Sequence, residues 1–238
     1  ALHGADGENG EIQRILEEDN IKFTGSNAKA SRIAMNKFES AEIAKKLRIP
    51  VPHKIILKNN ETLSNDIIDG IDFPVILKPN SEGSSLGIFK IIDKENLQEK
   101  YELLNKQYSS ILIEQFIPGR ELTVSILGKE ALPVVEIKPK EGWYDYNNKY
   151  IPGNTEYIAP ADLNESEINT IQQFALRLFD EIGCKSYARV DFRYDGNKFY
   201  LLELNTLPGM TKLSLTPMAA KAANIGFEEL FQRIIENS

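Results

Sequence analysis

Apolar residues recur with helical spacing in several segments of the chain, and the segment that starts at Asn164 shows this pattern most clearly. Asn164 can cap a helix N-terminus, and Glu167 stands three residues later, as in a capping box. Gly183 follows the last apolar position, where a glycine often ends a helix. The pattern therefore predicts a helix between these residues. Its predicted buried face consists of Ile168, Ile171, Ala175, Leu178 and Ile182.

Weaker periodic patterns predict further helical regions. Residues 11–19 form a short one, and residues 26–47 are predicted as a single helix that Pro50 terminates. The segment 96–108 is also helical in character, and helical segments close the chain from Pro217 onward. The apolar stripe of the 26–47 helix consists of Ile33, Ala41, Ala44 and Leu47.

Short runs rich in β-branched and aromatic residues predict strands. The last two runs, 187–194 and 199–205, are joined by "DGNK", a hairpin turn signal. Residues 138–161 have no clear period and are predicted as a long loop. Strand pairs mixed with separate helices predict an α+β architecture in two lobes. The other predicted strands are Lys54–Leu57, Val75–Lys78, Ile88–Ile92, Ile111–Ile117, Glu121–Leu127 and Leu132–Ile137.

The last hairpin gathers polar residues on one face of two neighbouring strands. Because strand side chains alternate between faces, Arg189 and Asp191 share a face of one strand, and Glu203 and Asn205 share a face of the other. Two carboxylates and an amide oxygen suit Mg²⁺ that bridges nucleotide phosphates. A solvated polar face with a surface salt bridge is the alternative. Pairing Asp195 with Phe199 at the turn predicts two opposed pairs, Asp191 with Glu203 and Arg189 with Asn205.

A second chemical signal is the stretch "FPVILKPNSEGSSLGIF" at residues 73–89, in which a lysine precedes a glycine- and serine-rich loop. A Walker A loop has the opposite order, so that motif is excluded. Lys78 on a strand can place its charge near nucleotide phosphates while backbone amides of the loop cover the phosphate oxygens. The alternative is a strand followed by an ordinary glycine-rich hairpin turn.

Composition narrows the classes of protein that fit these signals. The 238 residues are 42% hydrophobic and 26% charged, which is typical of a globular protein with one or two domains. The net charge of −7, with no evident basic face, argues against broad nucleic-acid binding. No apolar run reaches the length of a membrane span, and no signal-peptide pattern is evident. We therefore expect a cytoplasmic protein without a membrane partner, in which Cys184 serves packing.

Five motifs follow one another along the chain: "LHGADGENGEIQ", "LKPNSEGSSLG", "YDYNNKY", "ARVDF" and "LELNTLPGMT". Each alone is a weak signal, but their number and order are specific. Together they resemble the ATP-grasp superfamily and, within it, the D-alanine–D-alanine ligases. The resemblance implies an ATP-grasp fold of two lobes with the nucleotide between them.

The resemblance also implies the residues that bind ATP. Lys37 and Lys78 match the ligands of the phosphates, and Glu121 matches the ribose-binding carboxylate. Without the resemblance, Lys37 on a polar helix face would be interpreted as a solvated lysine. Lys149 is a further implied nucleotide contact. The implied adenine hinge consists of Glu114 with the backbone of Gln115, Phe116 and Ile117.

Metal ligands and substrate contacts follow from the same resemblance. Asp191, Glu203 and Asn205 match the ligands of two Mg²⁺ ions, with Mn²⁺ as a possible substitute. Arg189 and the backbone N–H of Gly209 match the groups that stabilise a tetrahedral oxyanion. The residues implied around the two amino-acid substrates are His3, Ser84, Tyr150, Ser214 and Leu215. Structural roles are the alternative for three of them: a strand end for His3, loop packing for Tyr150 and a helix cap for Ser214.

The implied activity is ATP-dependent ligation of two D-alanines through an acyl phosphate, for peptidoglycan precursor synthesis, by a cytoplasmic homodimer. The alternatives are another ATP-grasp ligase, such as a D-alanine–D-lactate ligase, and a non-catalytic nucleotide-binding module. At Lys149 and Tyr150 the sequence resembles the members of the family that form dipeptides. Three domains are predicted. Residues 1–25 are expected to be the remnant of a leading α/β domain that this sequence mostly lacks. Residues 26–117 are predicted as the central lobe, and residues 118–238 as the C-terminal lobe with the metal and substrate site.

Overall fold

A computed structural model of the chain describes residues 4–58, 61–83, 87–140 and 154–238. The capping box at Asn164 is formed, and Gly183 ends the same helix with a left-handed φ of 80°, so this prediction is confirmed. The predicted helices at 11–19 and 96–108 also form, each with shifted bounds. The α-helices are α1 (Glu11–Glu18), α2 (Ala28–Met35), α3 (Lys37–Lys46), α4 (Asn65–Asp69), α5 (Lys94–Asn105), α6 (Glu165–Ile182), α7 (Leu215–Ala222) and α8 (Phe227–Glu236).

The prediction of one continuous helix over residues 26–47 is wrong, because the chain breaks at Asn36 between α2 and α3. Asn36 has extended backbone angles, and its side chain accepts a hydrogen bond from the backbone N–H of Glu39, which caps α3. The side chain of Asn80 donates to the same Asn36 oxygen at 3.0 Å. A tertiary contact therefore supports the break, and the break makes Lys37 the first residue of α3.

A four-stranded antiparallel sheet forms the first lobe. Its strand order is β1-β4-β2-β3. Helix α5 packs on it, and the apolar core between them includes Leu77, Leu97 and Ile113. The strands are β1 (Lys54–Lys58), β2 (Val75–Pro79), β3 (Phe89–Ile91) and β4 (Ser110–Gln115).

A larger antiparallel sheet forms the second lobe, in the order β10-β9-β5-β7-β8, with β6 paired to β5. Helix α6 packs on it through Ile171, Ala175, Leu178 and Ile182, as predicted. Ile168, the fifth residue of the predicted face, is only partly buried. The prediction of a loop over residues 138–161 is wrong at both ends of that segment. Strands β7 and β8 pair there, with Lys138 opposite Glu156. The strands are β5 (Arg120–Leu127), β6 (Glu130–Ala131), β7 (Val135–Pro139), β8 (Thr155–Ile158), β9 (Tyr187–Tyr194) and β10 (Phe199–Asn205).

The hairpin of β9 and β10 has the predicted pairs but not the predicted turn. Tyr194, not Asp195, pairs with Phe199. The register then shifts between Leu201 and Glu203, so that Leu202 forms a β-bulge. This extra residue restores the predicted pairing of Glu203 with Asp191 and of Asn205 with Arg189. Without the bulge, Glu203 would lie on the opposite face of its strand.

Candidate active site

A cavity of about 610 Å³, called the cleft below, lies between the two sheets and is lined by residues of both lobes. Nucleotide contacts implied by the resemblance line it: Lys37, Lys78, Glu114, Gln115, Phe116, Ile117 and Glu121. The implied metal and substrate residues that line it are Arg189, Asp191, Glu203, Asn205, Gly209, Ser214 and Leu215. His3, Ser84, Lys149 and Tyr150 lie outside the described residues.

Asp191 is buried at the centre of a hydrogen-bond network on β9. Both carboxylate oxygens accept from Arg189, at 2.9 Å from Nε and 2.8 Å from a terminal guanidinium nitrogen. The hydroxyl of Thr123 on β5 donates to one of the same oxygens at 2.6 Å. Arg189, predicted as an oxyanion donor, therefore pairs with a predicted metal ligand in this structure. The pair fixes the orientation of the carboxylate in the cleft.

The donor set for a metal ion comes from the hairpin. Asp191 and Glu203 are opposed across β9 and β10, and Asn205 lies on the same face as Glu203. The backbone N–H of Leu207 donates to the amide oxygen of Asn205 at 2.9 Å, which orients that side chain. Two carboxylates and an amide oxygen on one face of a hairpin fit a hard cation such as Mg²⁺.

Lys37 is buried, with 4% of its surface exposed, which argues against a solvated lysine. Its ammonium group lies 3.3 Å from a carboxylate oxygen of Glu203 and donates to the backbone carbonyl of Glu82. Its backbone N–H donates to the carbonyl oxygen of Asn80 at 3.1 Å. Lys37 thus joins the glycine-rich segment of the first lobe to the predicted metal site of the second.

Lys78 belongs to a buried triad with Glu114 and Lys54. The Glu114 carboxylate accepts from Lys78 at 2.8 Å and lies 2.6 Å from the ammonium nitrogen of Lys54. Burial alone would raise the pKa of Glu114, but the two lysine charges outweigh it and hold that pKa below its ordinary value. The side chain of Glu114 therefore positions Lys78 in the cleft.

Lys54 belongs to none of the motifs that point to a nucleotide site. Burial lowers the pKa of Lys54, although the Glu114 carboxylate acts against this effect. The sequence does contain one signal for a buried ion pair at this position. Lys54 begins the apolar run "KIIL", and a charged residue in such a run needs a buried partner. The sequence does not show that this partner is Glu114, on the neighbouring strand β4.

The predicted hinge, residues 115–117, connects the lobes. The N–H of Gln115 donates to the carbonyl of His53 at 2.9 Å, and that of Phe116 donates to the carbonyl of Pro74 at 3.3 Å. Arg193 also reaches this segment from β9, since its Nε donates to the carbonyl of Ile117 at 3.1 Å. No motif pointed to Arg193, which lines the same cleft.

Ser214 lies directly before α7, in the position of a helix cap. Its side chain makes no capping hydrogen bond to that helix. Instead its hydroxyl oxygen accepts from the backbone N–H of Thr211 at 3.1 Å and lies 2.9 Å from the Thr211 hydroxyl. The Ser214 side chain therefore does not cap α7, and the residue lines the cleft.

A family model described as the D-ala D-ala ligase C-terminus matches residues 39–236. The D-alanine–D-alanine ligase of Syntrophotalea carbinolica is 40% identical over 235 residues, covering 99% of this chain and 76% of that protein. The chain belongs to the D-alanine–D-alanine ligase family. The resemblance inferred from the five motifs is thereby confirmed.

Solved structures of the D-alanine–D-alanine ligase family support the two-lobed fold. The D-alanine–D-alanine ligase from Bacillus anthracis matches with a TM-score of 0.90 at 37% identity, covering 99% of this chain and 77% of that one. A structure of a D-alanine–D-alanine ligase from Bacillus anthracis complexed with ATP matches with a TM-score of 0.87 at 34% identity, over 99% of this chain and 76% of that one. The predicted α+β class and ATP-grasp architecture are confirmed. Within the described part of the chain, no helix is both long and apolar enough to cross a membrane.

Proposed function

We propose that the protein ligates two D-alanines to D-alanyl-D-alanine at the expense of ATP. One observation carries the proposal: the buried cations Lys37 and Lys78 and the oxygen donors of the hairpin line a single cleft between the two lobes. Family membership supplies the reaction type, and the relative of known structure that was complexed with ATP supplies the cosubstrate. A module that only binds nucleotide would not need the hairpin residues.

The reaction has two steps that suit this charge distribution. The carboxylate of the first D-alanine attacks the γ-phosphorus of ATP, ADP leaves, and an acyl phosphate forms. The amine of the second D-alanine then attacks the acyl carbon, a C–N bond forms as the C–O bond to phosphate breaks, and the proton lost by the amine passes to the departing phosphate or to solvent. Both steps place negative charge in the cleft, where the lysine ammonium groups can neutralise it.

Asp191, Glu203 and Asn205 would hold the metal, and we propose two Mg²⁺ ions or Mn²⁺ in their place. Mg²⁺ in such a site neutralises phosphate charge and aligns the reacting oxygens. In the second step, the tetrahedral intermediate carries an oxyanion. We assign its stabilisation to the guanidinium group of Arg189 and the backbone N–H of Gly209. Loss of one such donor typically costs about 3 kcal/mol of barrier.

We also propose which residues contact the amino-acid substrates. Ser214 and Leu215, which line the cleft, are assigned to the binding of the two D-alanine substrates. His3, Ser84 and Tyr150 keep their roles at the substrates, and Lys149 its role at the nucleotide, as implied by the resemblance. We also propose the domain division at residues 25 and 117, a homodimer and a cytoplasmic location, as in the sequence prediction.

The decisive experiment measures ADP release by the enzyme with ATP, Mg²⁺ and either D-alanine, L-alanine or no amino acid. We expect release with D-alanine only, and D-alanyl-D-alanine as the product identified by mass spectrometry. A second incubation with D-alanine and D-lactate separates dipeptide from depsipeptide. Mostly depsipeptide at neutral pH would assign the protein to the D-lactate ligases, and ATP binding without ADP release would make it a nucleotide-binding module.

A further inference from the structure

Arg193 is a charged residue in the cleft to which the proposed reaction assigns no role. It lies on β9 two residues after Asp191, and its side chain is 15% exposed. It pairs across the sheet with Glu121 on β5, the carboxylate assigned to the ribose. A terminal guanidinium nitrogen of Arg193 lies 3.3 Å from a carboxylate oxygen of Glu121. Arg193 is thus placed to fix the carboxylate that would receive the ribose hydroxyls.

The other nitrogens of Arg193 bind the connection between the lobes. Nε donates to the carbonyl of Ile117 at 3.1 Å, and the second terminal nitrogen donates to the carbonyl of Gly119 at 2.8 Å. One guanidinium group therefore holds the hinge backbone and Glu121 together. A lysine could not replace these contacts, because its single nitrogen cannot span three separate acceptors.

Two neighbouring features hold this segment close to Arg193. Gly119 has a φ of 104°, and an added Cβ would lie 2.1 Å from the carbonyl oxygen of Tyr194, so only glycine fits this close approach. Two cations lie over the ring of Phe116. The guanidinium carbon of Arg193 is 5.9 Å from the ring centroid, and the ammonium nitrogen of Lys90 is 4.0 Å from it. These contacts stabilise one conformation of the hinge.

We propose that Arg193 is a positioning residue for the nucleoside of ATP: it holds Glu121 and the hinge of residues 115–117, with the adjoining Gly119, in the conformation that binds ribose and adenine. The inference rests on the proposed function, because it takes the cleft to be an ATP site. Arg193 does not act on the phosphates, since each of its three nitrogens binds a protein acceptor. Nucleoside affinity should therefore depend on it, and phosphoryl transfer should not.

The test compares the wild-type enzyme with Arg193→Met and Arg193→Lys, using ATP, 2′,3′-dideoxy-ATP and inorganic tripolyphosphate as ligands. For Arg193→Met we expect ATP to bind about tenfold more weakly, as expected for lost hydrogen bonds to charged groups. Binding of dideoxy-ATP should weaken less, because it has no ribose hydroxyls for Glu121, and tripolyphosphate binding should not change. Turnover at saturating ATP should stay within about twofold of wild type, so the change appears in KM.

Arg120→Met is the matched control. Arg120 also makes a two-pronged ion pair with a carboxylate, at 2.9 and 2.7 Å from the oxygens of Glu136, and donates to the carbonyl of Asp162 at 2.9 Å. It does not line the cleft. We expect this variant to lose stability but to keep its KM for ATP.

The outcomes separate the two proposals. Arg193→Lys keeps the charge beside Glu121, so it should give intermediate affinity, and it serves as the test variant if Arg193→Met does not fold. Equal weakening for ATP and dideoxy-ATP, or a loss of tripolyphosphate binding, would overturn the role of Arg193. A wild-type enzyme that binds ATP but makes no dipeptide would overturn the proposed reaction while leaving the role of Arg193 testable by binding.

Discussion

Glu114 shows how one buried residue can control the charge state of a site. Its carboxylate lies between the ammonium groups of Lys54 and Lys78, with 2% of the residue exposed. A buried carboxylate is costly unless it is paired, and here it has two partners. With both lysines protonated, the triad carries a net positive charge beside the cleft, which Lys78 and Glu114 line.

The stability contributed by Glu114 should be lost in acid. Because its folded-state pKa lies below the ordinary value of 4.5, the ionised carboxylate stabilises the fold above that pH. This contribution disappears as the pH falls through the folded-state pKa. We expect the difference in unfolding free energy between wild type and Glu114→Gln to shrink as the pH is lowered from neutral to below 4.5. The exposed Glu99→Gln is the control, and a pH-independent difference would contradict the prediction.

Removal of Lys54 should strongly destabilise the protein. Breaking a buried ion pair by deleting one partner costs about 3–5 kcal/mol, because the other charge loses its compensation. We expect Lys54→Met to show a loss of this order in chemical unfolding, reduced in part by the remaining Lys78. Lys45→Met is the control, since its ion pair with Glu42 is about half exposed and such pairs contribute about 1 kcal/mol or less. Equal effects of the two substitutions would show that the triad does not stabilise the fold.

Two short backbone irregularities place the functional side chains at the scale of single elements. The bulge at Leu202 sets Glu203 opposite Asp191, and the break at Asn36 makes Lys37 the first residue of α3. Both are one-residue departures from a regular element. Each changes the direction of a side chain that then lines the cleft.

Asn36→Ala should weaken ATP binding as well as stability. Loss of a helix cap costs about 1 kcal/mol. Here alanine would also favour a continuous helix and release Asn80, so the position of Lys37 should change. Asn27→Ala is the matched control, because Asn27 caps α2 through the N–H of Ala30 at 2.8 Å. We expect similar losses of stability by thermal unfolding, but a higher Kd for ATP only in Asn36→Ala. Unchanged ATP affinity there would mean that the break does not position Lys37.

At the scale of the molecule, the cleft is completed only when both lobes are in place. The first lobe supplies Lys78, and the second supplies the hairpin carboxylates together with Lys37, since α3 packs on β10. A ligand held by both lobes stabilises the folded state by mass action. Folding, nucleotide binding and metal binding should therefore be coupled.

Mg²⁺ and ATP together should raise the melting temperature of the protein, and Glu203 should be needed for the Mg²⁺-dependent part. At a ligand concentration of one hundred times Kd, the expected stabilisation is about 2.7 kcal/mol. In Glu203→Gln we expect ATP to stabilise the protein equally with and without Mg²⁺, and turnover to be lost. Glu102→Gln, an exposed substitution on α5, is the control. A full Mg²⁺ effect in Glu203→Gln would rule out the hairpin as the metal site.

Local sequence signals determined the elements whose stability depends on nearby residues. The capping box of α6 needs only Asn164 and Glu167, and the strand period places Arg189 with Asp191 and Glu203 with Asn205. These features follow from the geometry of a single helix or strand, so they can be read from spacing alone. The motifs that identified the family combine such local features in a fixed order.

Tertiary contacts decided the rest of the site. Asn80, forty-four residues away in sequence, supports the break at Asn36, and Glu114 on β4 partners Lys54 on β1. The pairing of Tyr194 with Phe199 at the turn would, without a bulge, place Leu202 opposite Asp191. The bulge at Leu202 shifts the register by one residue and places Glu203 there. Arg193 acquires its partners because β9 lies beside β5 and the hinge. A buried charge or a one-residue bulge is stable only when distant groups satisfy it, and spacing along the chain does not encode which groups those are.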